Sequence, residues 1–169
     1  RHIVGVQLRN LATVGGSIYS RFGFSDVLTM FLALNASVEL YKGGVVPLAE
    51  YAQRPYDRDI LVGVLVPKEN ARVVYQSVRN SQTDFPVLTC AAAKLADGNI
   101  RAAIGARPGK AVLYTAAPEA GETAEEFAAR FAAEVKAGIK TESNLRGGAE
   151  YRRHLAGVLT KRAVGRLEG

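Results

Sequence analysis

The chain has 169 residues, 48% hydrophobic and 22% charged, with a formal net charge of +6, which allows a core in one domain or two small ones. The longest apolar run, residues 27–36, is broken by Thr29 and Asn35 and falls well short of the roughly 20 residues of a membrane span. The single Cys90 excludes an internal disulfide and any iron–sulfur cluster or cysteine-based zinc site held by this chain alone. The basic residues are scattered and gather only at Arg152, Arg153, Lys161, Arg162 and Arg166, a solvated or partner-facing helix flank rather than a nucleic-acid interface.

The most informative segment comes early: Leu8-Arg9-Asn10-Leu11-Ala12-Thr13-Val14-Gly15-Gly16-Ser17-Ile18, followed by Ser25-Asp26. Thr13 and Ser17 offer hydroxyl donors, and Gly15 and Gly16 let backbone N–H groups approach a phosphate with no Cβ in the way. Asp26 is an acceptor suited to sugar hydroxyls. A glycine pair by itself is ordinarily a turn; the longer pattern is more specific. Ser25 is a good N-cap and Asp26 suits the first turn of a helix that is apolar on most sides from Val27 to Leu34.

Further along, 37–41 alternates as a strand, Lys42-Gly43-Gly44 turns, and Pro47 opens a short helix. Residues 60–66 read as a strand stopped by Pro67. Four more strands are expected at 72–79, 87–96, 100–106 and 111–115, with Asp97-Gly98-Asn99 as a tight turn between two of them. Thr123 and Glu126 form a capping box for a helix with Phe127, Phe131 and Val135 on its apolar stripe, ended by Gly138. Gly147-Gly148 breaks the chain before a last helix, whose expected stripe is Tyr151, Leu155, Val158 and Leu159. This order is α+β: a mixed α/β part over 1–67, then a C-terminal antiparallel sheet with packed helices over 68–169.

No catalytic constellation is present in the sequence. His2 and His154 are far apart and outside any metal-ligand spacing, Asp57 and Asp59 read as a turn leading into a strand, and Cys90 reads as a small core residue.

The 8–18 segment with its downstream Ser-Asp resembles the FAD-binding subunit, or domain, of the molybdenum hydroxylases, the family of xanthine dehydrogenase and carbon monoxide dehydrogenase. Asp59-Ile60-Leu61-Val62, Tyr75 with Thr83-Asp84-Phe85-Pro86, and Gly148–Leu155 are similar to three later landmarks of that family. The resemblance implies an oxidoreductase component of a xanthine- or purine-dehydrogenase-like molybdenum hydroxylase that passes electrons from iron–sulfur clusters through FAD to NAD or another acceptor. Its partners would be an iron–sulfur subunit and a molybdopterin subunit, in the cytoplasm, with no metal on this chain. It implies that Ala12, Thr13, Val14, Gly15, Gly16 and Ser17 line the pyrophosphate, that Asp26 binds a ribose or ribityl hydroxyl, and that Leu61 packs near the adenine or flavin. Tyr75 and Asp84 would lie toward the isoalloxazine, with Gln76 in the cofactor-binding set at a position where many members carry Lys or Arg. The aromatics of 19–24, which replace the usual small linker, either stack near the cofactor or pack the loop. Family members carry a further glycine-rich subdomain before this point, so a fragment lacking it is expected, inactive in isolation. The alternative is a cofactor-free fragment acting mainly as a subunit-docking module.

Overall fold

The structure, a computed structural model, describes residues 3–167; His2 lies outside the described residues. Its centre is a four-stranded antiparallel meander in the order β4 (Arg72–Val78), β5 (Leu88–Lys94), β6 (Ile100–Gly105), β7 (Val112–Ala116). The four strands sit within a residue or two of their expected places, because each is an apolar β-forming run closed by turn chemistry. At the tightest turn Gly98 takes φ +81 and the Asp97 carboxylate accepts the Asn99 N–H at 2.9 Å.

Strand β5 is buried on both faces. Leu88, Cys90 and Ala92 face one core with Ile100, Ala102 and Ile104 of β6, while Ala91, Ala93 and Ala103 face another. Period-two alternation puts consecutive residues on opposite sides, and alanine keeps both sides thin enough for close packing. The first face is covered by α5 (Ala124–Gly138) and α6 (Ala149–Gly165). Helix α5 opens on the expected capping box, with Thr123 Oγ1 accepting the Glu126 N–H and the Glu126 carboxylate accepting the Thr123 N–H. Phe127, Phe131 and Val135 are its buried stripe.

The stripe of α6 differs from expectation. Tyr151 is 50% exposed, and the buried line is Arg152, Leu155, Ala156, Leu159, Thr160, Ala163 and Val164. Arg152 is therefore not on the basic flank; it is fully buried because neutral acceptors surround it. Its Nε donates to the Val87 carbonyl at 2.9 Å, Nη1 to the carbonyls of Glu142 and Gly147 at 2.7 and 2.6 Å, and Nη2 to Asn144 Oδ1 at 2.5 Å. Those bonds tie the 142–147 loop to β5.

The other face of the meander carries α3 (Asp26–Ala33) and a small antiparallel sheet ordered β2 (Gly44–Pro47), β1 (Ser37–Leu40), β3 (Leu61–Leu65), with the short α4 (Leu48–Tyr51) after β2. Leu28, Leu32, Val38, Leu40, Val46, Leu48 and Tyr51 pack with Ala91, Ala93 and Ala103 of the large sheet into one continuous core. The turn at 42–44 is stapled by Asp59, whose carboxylate accepts the N–H groups of Lys42 and Gly43 at 2.9 and 2.8 Å. Asp59 thus serves the turn, and these bonds hold its carboxyl below the usual range.

Two short helices precede α3: α1 (Val6–Leu11) and α2 (Val14–Tyr19). The glycine pair was expected in a loop; it sits inside α2. Thr13 makes the difference, since its Oγ1 accepts the Gly16 N–H at 3.0 Å and caps a turn that two glycines would otherwise disfavour.

Candidate functional site

The segment between α2 and α3 reaches its place through two close backbone approaches. Gly23 O accepts the Ala106 N–H at 2.6 Å. A Cβ on Gly23 would lie 1.8 Å from Gly109 O, and one on Gly105 would lie 2.4 and 2.5 Å from the Thr29 and Thr89 hydroxyls. Glycine at both positions lets 22–24 lie flat against the end of β6. Ser25 then caps α3, accepting the Leu28 N–H at 3.2 Å and donating to Ser17 O at 3.1 Å, which fixes α2 against the start of α3.

A cleft of about 470 Å³ opens where these pieces meet. Ala12, Thr13, Gly16, Ser17 and Asp26 line it, with Leu8 and Leu11 of α1 on one side and Phe22, Phe24 and Phe85 on the other. A smaller opening of about 260 Å³ adjoins it, lined by Val14, Asp26, Met30, Phe31 and Tyr75 among others. The structure thus brings together most of the residues singled out from the 12–26 segment.

Their chemistry is specific. The Gly16 amide is taken by Thr13 and the Ser17 amide by the Thr13 carbonyl, so the N–H groups of Val14 and Gly15 are left without helical acceptors. A Cβ built on Gly15 meets nothing within 4 Å, so that approach is open. The Ser17 hydroxyl donates to Thr13 O at 2.8 Å and keeps only its acceptor capacity for a ligand. Open amides, a carboxylate and apolar walls together fit one flank of a dinucleotide.

Asp26 is only 8% exposed and is held from β4. Arg79 Nη2 donates to Asp26 Oδ1 at 2.6 Å, and the Tyr75 hydroxyl donates to the same oxygen. Burial, and then the Asp26 charge, push the Tyr75 phenol well above its ordinary range, so it stays a donor. Arg79 was not singled out from the sequence. The usable signal was its spacing: Arg79 is four residues from Tyr75, one step past the end of β4, in the run 72–79 expected as a strand, where such positions share a face.

Leu61 and Gln76 lie elsewhere. Leu61 is half-buried in β3 and packs into the core under the small sheet. Gln76 pairs with Cys90 in register and shares the face of Val74 and Val78, under α5 and α6, so Tyr75 and Gln76 point to opposite sides of the sheet. Its Nε2 has no acceptor among the described residues. Cys90 is buried beside Thr160, and burial pushes its thiol up to about 12, as an inert core residue requires. His154 is exposed on α6.

The aromatics of 19–24 divide. Phe22 and Phe24 stack with centroids 5.1 Å apart, and Phe85 meets Phe24 edge-on at 4.9 Å. These rings form a ridge at the cleft rather than packing a loop. Asp84 sits behind Phe85, held by Arg146 at 2.9 Å, which lowers its carboxyl. Arg21, in contrast, is buried at φ +50 beneath Tyr51, whose hydroxyl accepts from its Nη2 at 3.0 Å. Among the described residues no group of His, Cys, Asp and Glu is arranged to hold a metal ion, and no helix is long and apolar enough to cross a membrane.

The chain is similar to known proteins along nearly its whole described length. Residues 1–69 match the FAD binding domain in molybdopterin dehydrogenase, and residues 73–167 match the CO dehydrogenase flavoprotein C-terminal domain. The chain is 27% identical over 155 residues to the uncharacterised protein YgfM of Escherichia coli strain K12, covering 90% of this chain and 57% of that protein. It is 27% identical to the glyceraldehyde dehydrogenase medium chain of Sulfolobus acidocaldarius, covering 96% of this chain and 64% of that one. The fold matches carbon monoxide dehydrogenase from Hydrogenophaga pseudoflava with a TM-score of 0.81 at 22% identity, covering 99% of this chain and 64% of the other. Quinoline 2-oxidoreductase from Pseudomonas putida 86 matches with a TM-score of 0.79 at 20% identity, covering 98% of this chain and 64% of the other. The chain therefore spans about three fifths of the length of the relatives it matches. With an FAD-binding part at its start and a flavoprotein C-terminal domain over the rest, it belongs to the FAD-binding subunits of the molybdenum hydroxylase family.

Proposed function

We propose that this chain forms one flank of the FAD site in the electron-transfer subunit of a molybdenum-dependent dehydrogenase. The observation that carries the reading is the cleft at the start of α2 and α3, where Ala12, Thr13, Gly16, Ser17 and Asp26 line one space beside a helix start whose Val14 and Gly15 amides lack helical acceptors. Val14 and Gly15 donate to the pyrophosphate, with Ala12, Thr13, Gly16 and Ser17 forming the wall behind it. Asp26, which lines the cleft, accepts a sugar or ribityl hydroxyl. Leu61 packs against the core under the small sheet. When bound, FAD supplies the redox chemistry, taking up and releasing electrons, and the protein supplies placement and charge.

Supported by the family match, the electrons come from an iron–sulfur subunit served by a molybdopterin subunit, and leave to NAD or another acceptor in the cytoplasm. Both partner subunits and the acceptor belong to this proposal.

The test is Gly15→Ala. Alanine in a helical turn with nothing within 4 Å should stabilise the fold by about 0.5–1 kcal/mol, yet its methyl obstructs the phosphate approach. The expected outcome is FAD retention lowered at least about tenfold, read from visible absorption after desalting, with an unchanged or higher Tm. A colourless wild-type chain that stays colourless in added FAD would overturn the flavin reading and leave a subunit-docking module.

A further inference from the structure

We propose that a second cleft, on the opposite side of the Phe22–Phe24–Phe85 ridge from the flavin cleft, binds a small planar aromatic anion. This cleft has a volume of about 560 Å³, within the range of small-molecule sites. The same three rings line both clefts. Phe22 and Phe24 remain 50% and 41% exposed although they stack, and a stacked pair left half in water is a surface that a further aromatic ring would cover.

The same cleft is lined by cations. Lys110 lines the cleft, and among the described residues its Nζ donates only to the neutral carbonyls of Gln53 and Arg54, at 2.6 and 2.8 Å, with no carboxylate paired to it. Arg21 also lines the cleft; it is 4% exposed and its Nε has no acceptor among the described residues. Arg146 is the third cation, its guanidinium carbon 5.4 Å from the centre of the Phe85 ring. Asp57 accompanies Arg21 at 3.6 Å and Asp84 accompanies Arg146 at 2.9 Å. Neither carboxylate lines the cleft, so two carboxylates stand behind three cations.

The walls are also fixed. Arg152 holds the loop that carries Arg146, and the approach of Gly23 to Gly109 holds the segment that carries Phe22 and Phe24. A pre-formed cleft lined by stacked rings and by excess positive charge selects a ring that bears a phosphate or a carboxylate.

The test uses the full chain loaded with FAD and four probes: AMP, adenosine, benzoate and inorganic phosphate, each titrated by calorimetry and by NMR shifts at residues 85 and 110. AMP, benzoate or both should bind saturably, at least about tenfold more tightly than adenosine or phosphate, since ring and anion are each needed. Preference for AMP assigns a nucleotide and preference for benzoate an aromatic acid; either upholds the site. Lys110→Gln should weaken the bound probe at least about fivefold with FAD content unchanged, and Lys110→Arg should restore it. Saturable binding of no probe, displacement of the probe by FAD, or equal affinity in Lys110→Gln would each overturn the proposal. Because FAD content is read separately, loss of flavin is distinguishable from loss of this site.

Discussion

Removing the guanidinium of Arg152 is the sharpest perturbation of the C-terminal half. In Arg152→Met the apolar stem is kept and four hydrogen bonds vanish. The acceptors in the 142–147 loop lie near the surface, where water can replace the donor. The Val87 carbonyl lies in the core, where nothing can. Stranding that carbonyl costs about 1–3 kcal/mol, and each of the three rehydrated bonds costs about 0.5 kcal/mol, for a total near 3 kcal/mol. Burial pulls the Arg152 pKa down, so part of the loss is returned when the buried charge goes. For a chain of this size each kcal/mol shifts Tm by about 2–4 °C, so a drop of about 9 °C is expected. Denaturant unfolding gives ΔΔG directly if m is unchanged. Arg152→Lys should recover less than half of the loss, because an ammonium cannot span four acceptors set around a planar fork. A ΔΔG below about 1 kcal/mol in Arg152→Met, or a lysine variant as stable as the wild type, would refute the reasoning.

Three further outcomes follow from the geometry. Gly23→Ala should destabilise by about 1–3 kcal/mol in denaturant unfolding, since its methyl would lie 1.8 Å from Gly109 O and backbone must move. Tyr75, with its pKa raised, should not titrate with the exposed tyrosines in ultraviolet difference spectra. Because the folded value lies above the unfolded one near 10, its contribution is present below about pH 10 and is lost as pH rises beyond it. Asp84 has its carboxyl lowered by Arg146, so its contribution is present above the ordinary carboxylate range and is lost as pH falls. Arg146→Gln should move the Asp84 titration seen by NMR upward, and the stability gap between variant and wild type should close as pH falls from about 5 to 2.

Much of the fold can be read from the chain because its signals are local. The meander follows from four β-forming runs, the 97–99 turn, and a capping box whose partners are three residues apart. The proposed flavin segment is local in the same way, since Thr13, Gly15 and Gly16 lie in one turn. What was missed depends on partners distant in sequence. Arg79 reaches Asp26 across 53 positions, and Arg152 finds the Val87 carbonyl across 65. No periodicity predicts that a cation is buried when its acceptors are neutral carbonyls. Helix α2 escaped notice because glycine is the poorest helix former after proline, and one hydroxyl cap outweighed that. Gln76 lies on the opposite face of the sheet from Tyr75, since one step along a strand changes the face.

The alanines of β5 carry a mechanical consequence. Between α5–α6 and α3, residues 91–93 are buried and present a methyl group on each side in turn, with no long side chain to change rotamer. A strand of that kind is a shim of fixed thickness. A load applied to the outer helices cannot be absorbed by repacking within the sheet and passes on as a rigid displacement of α3, whose first residue is Asp26.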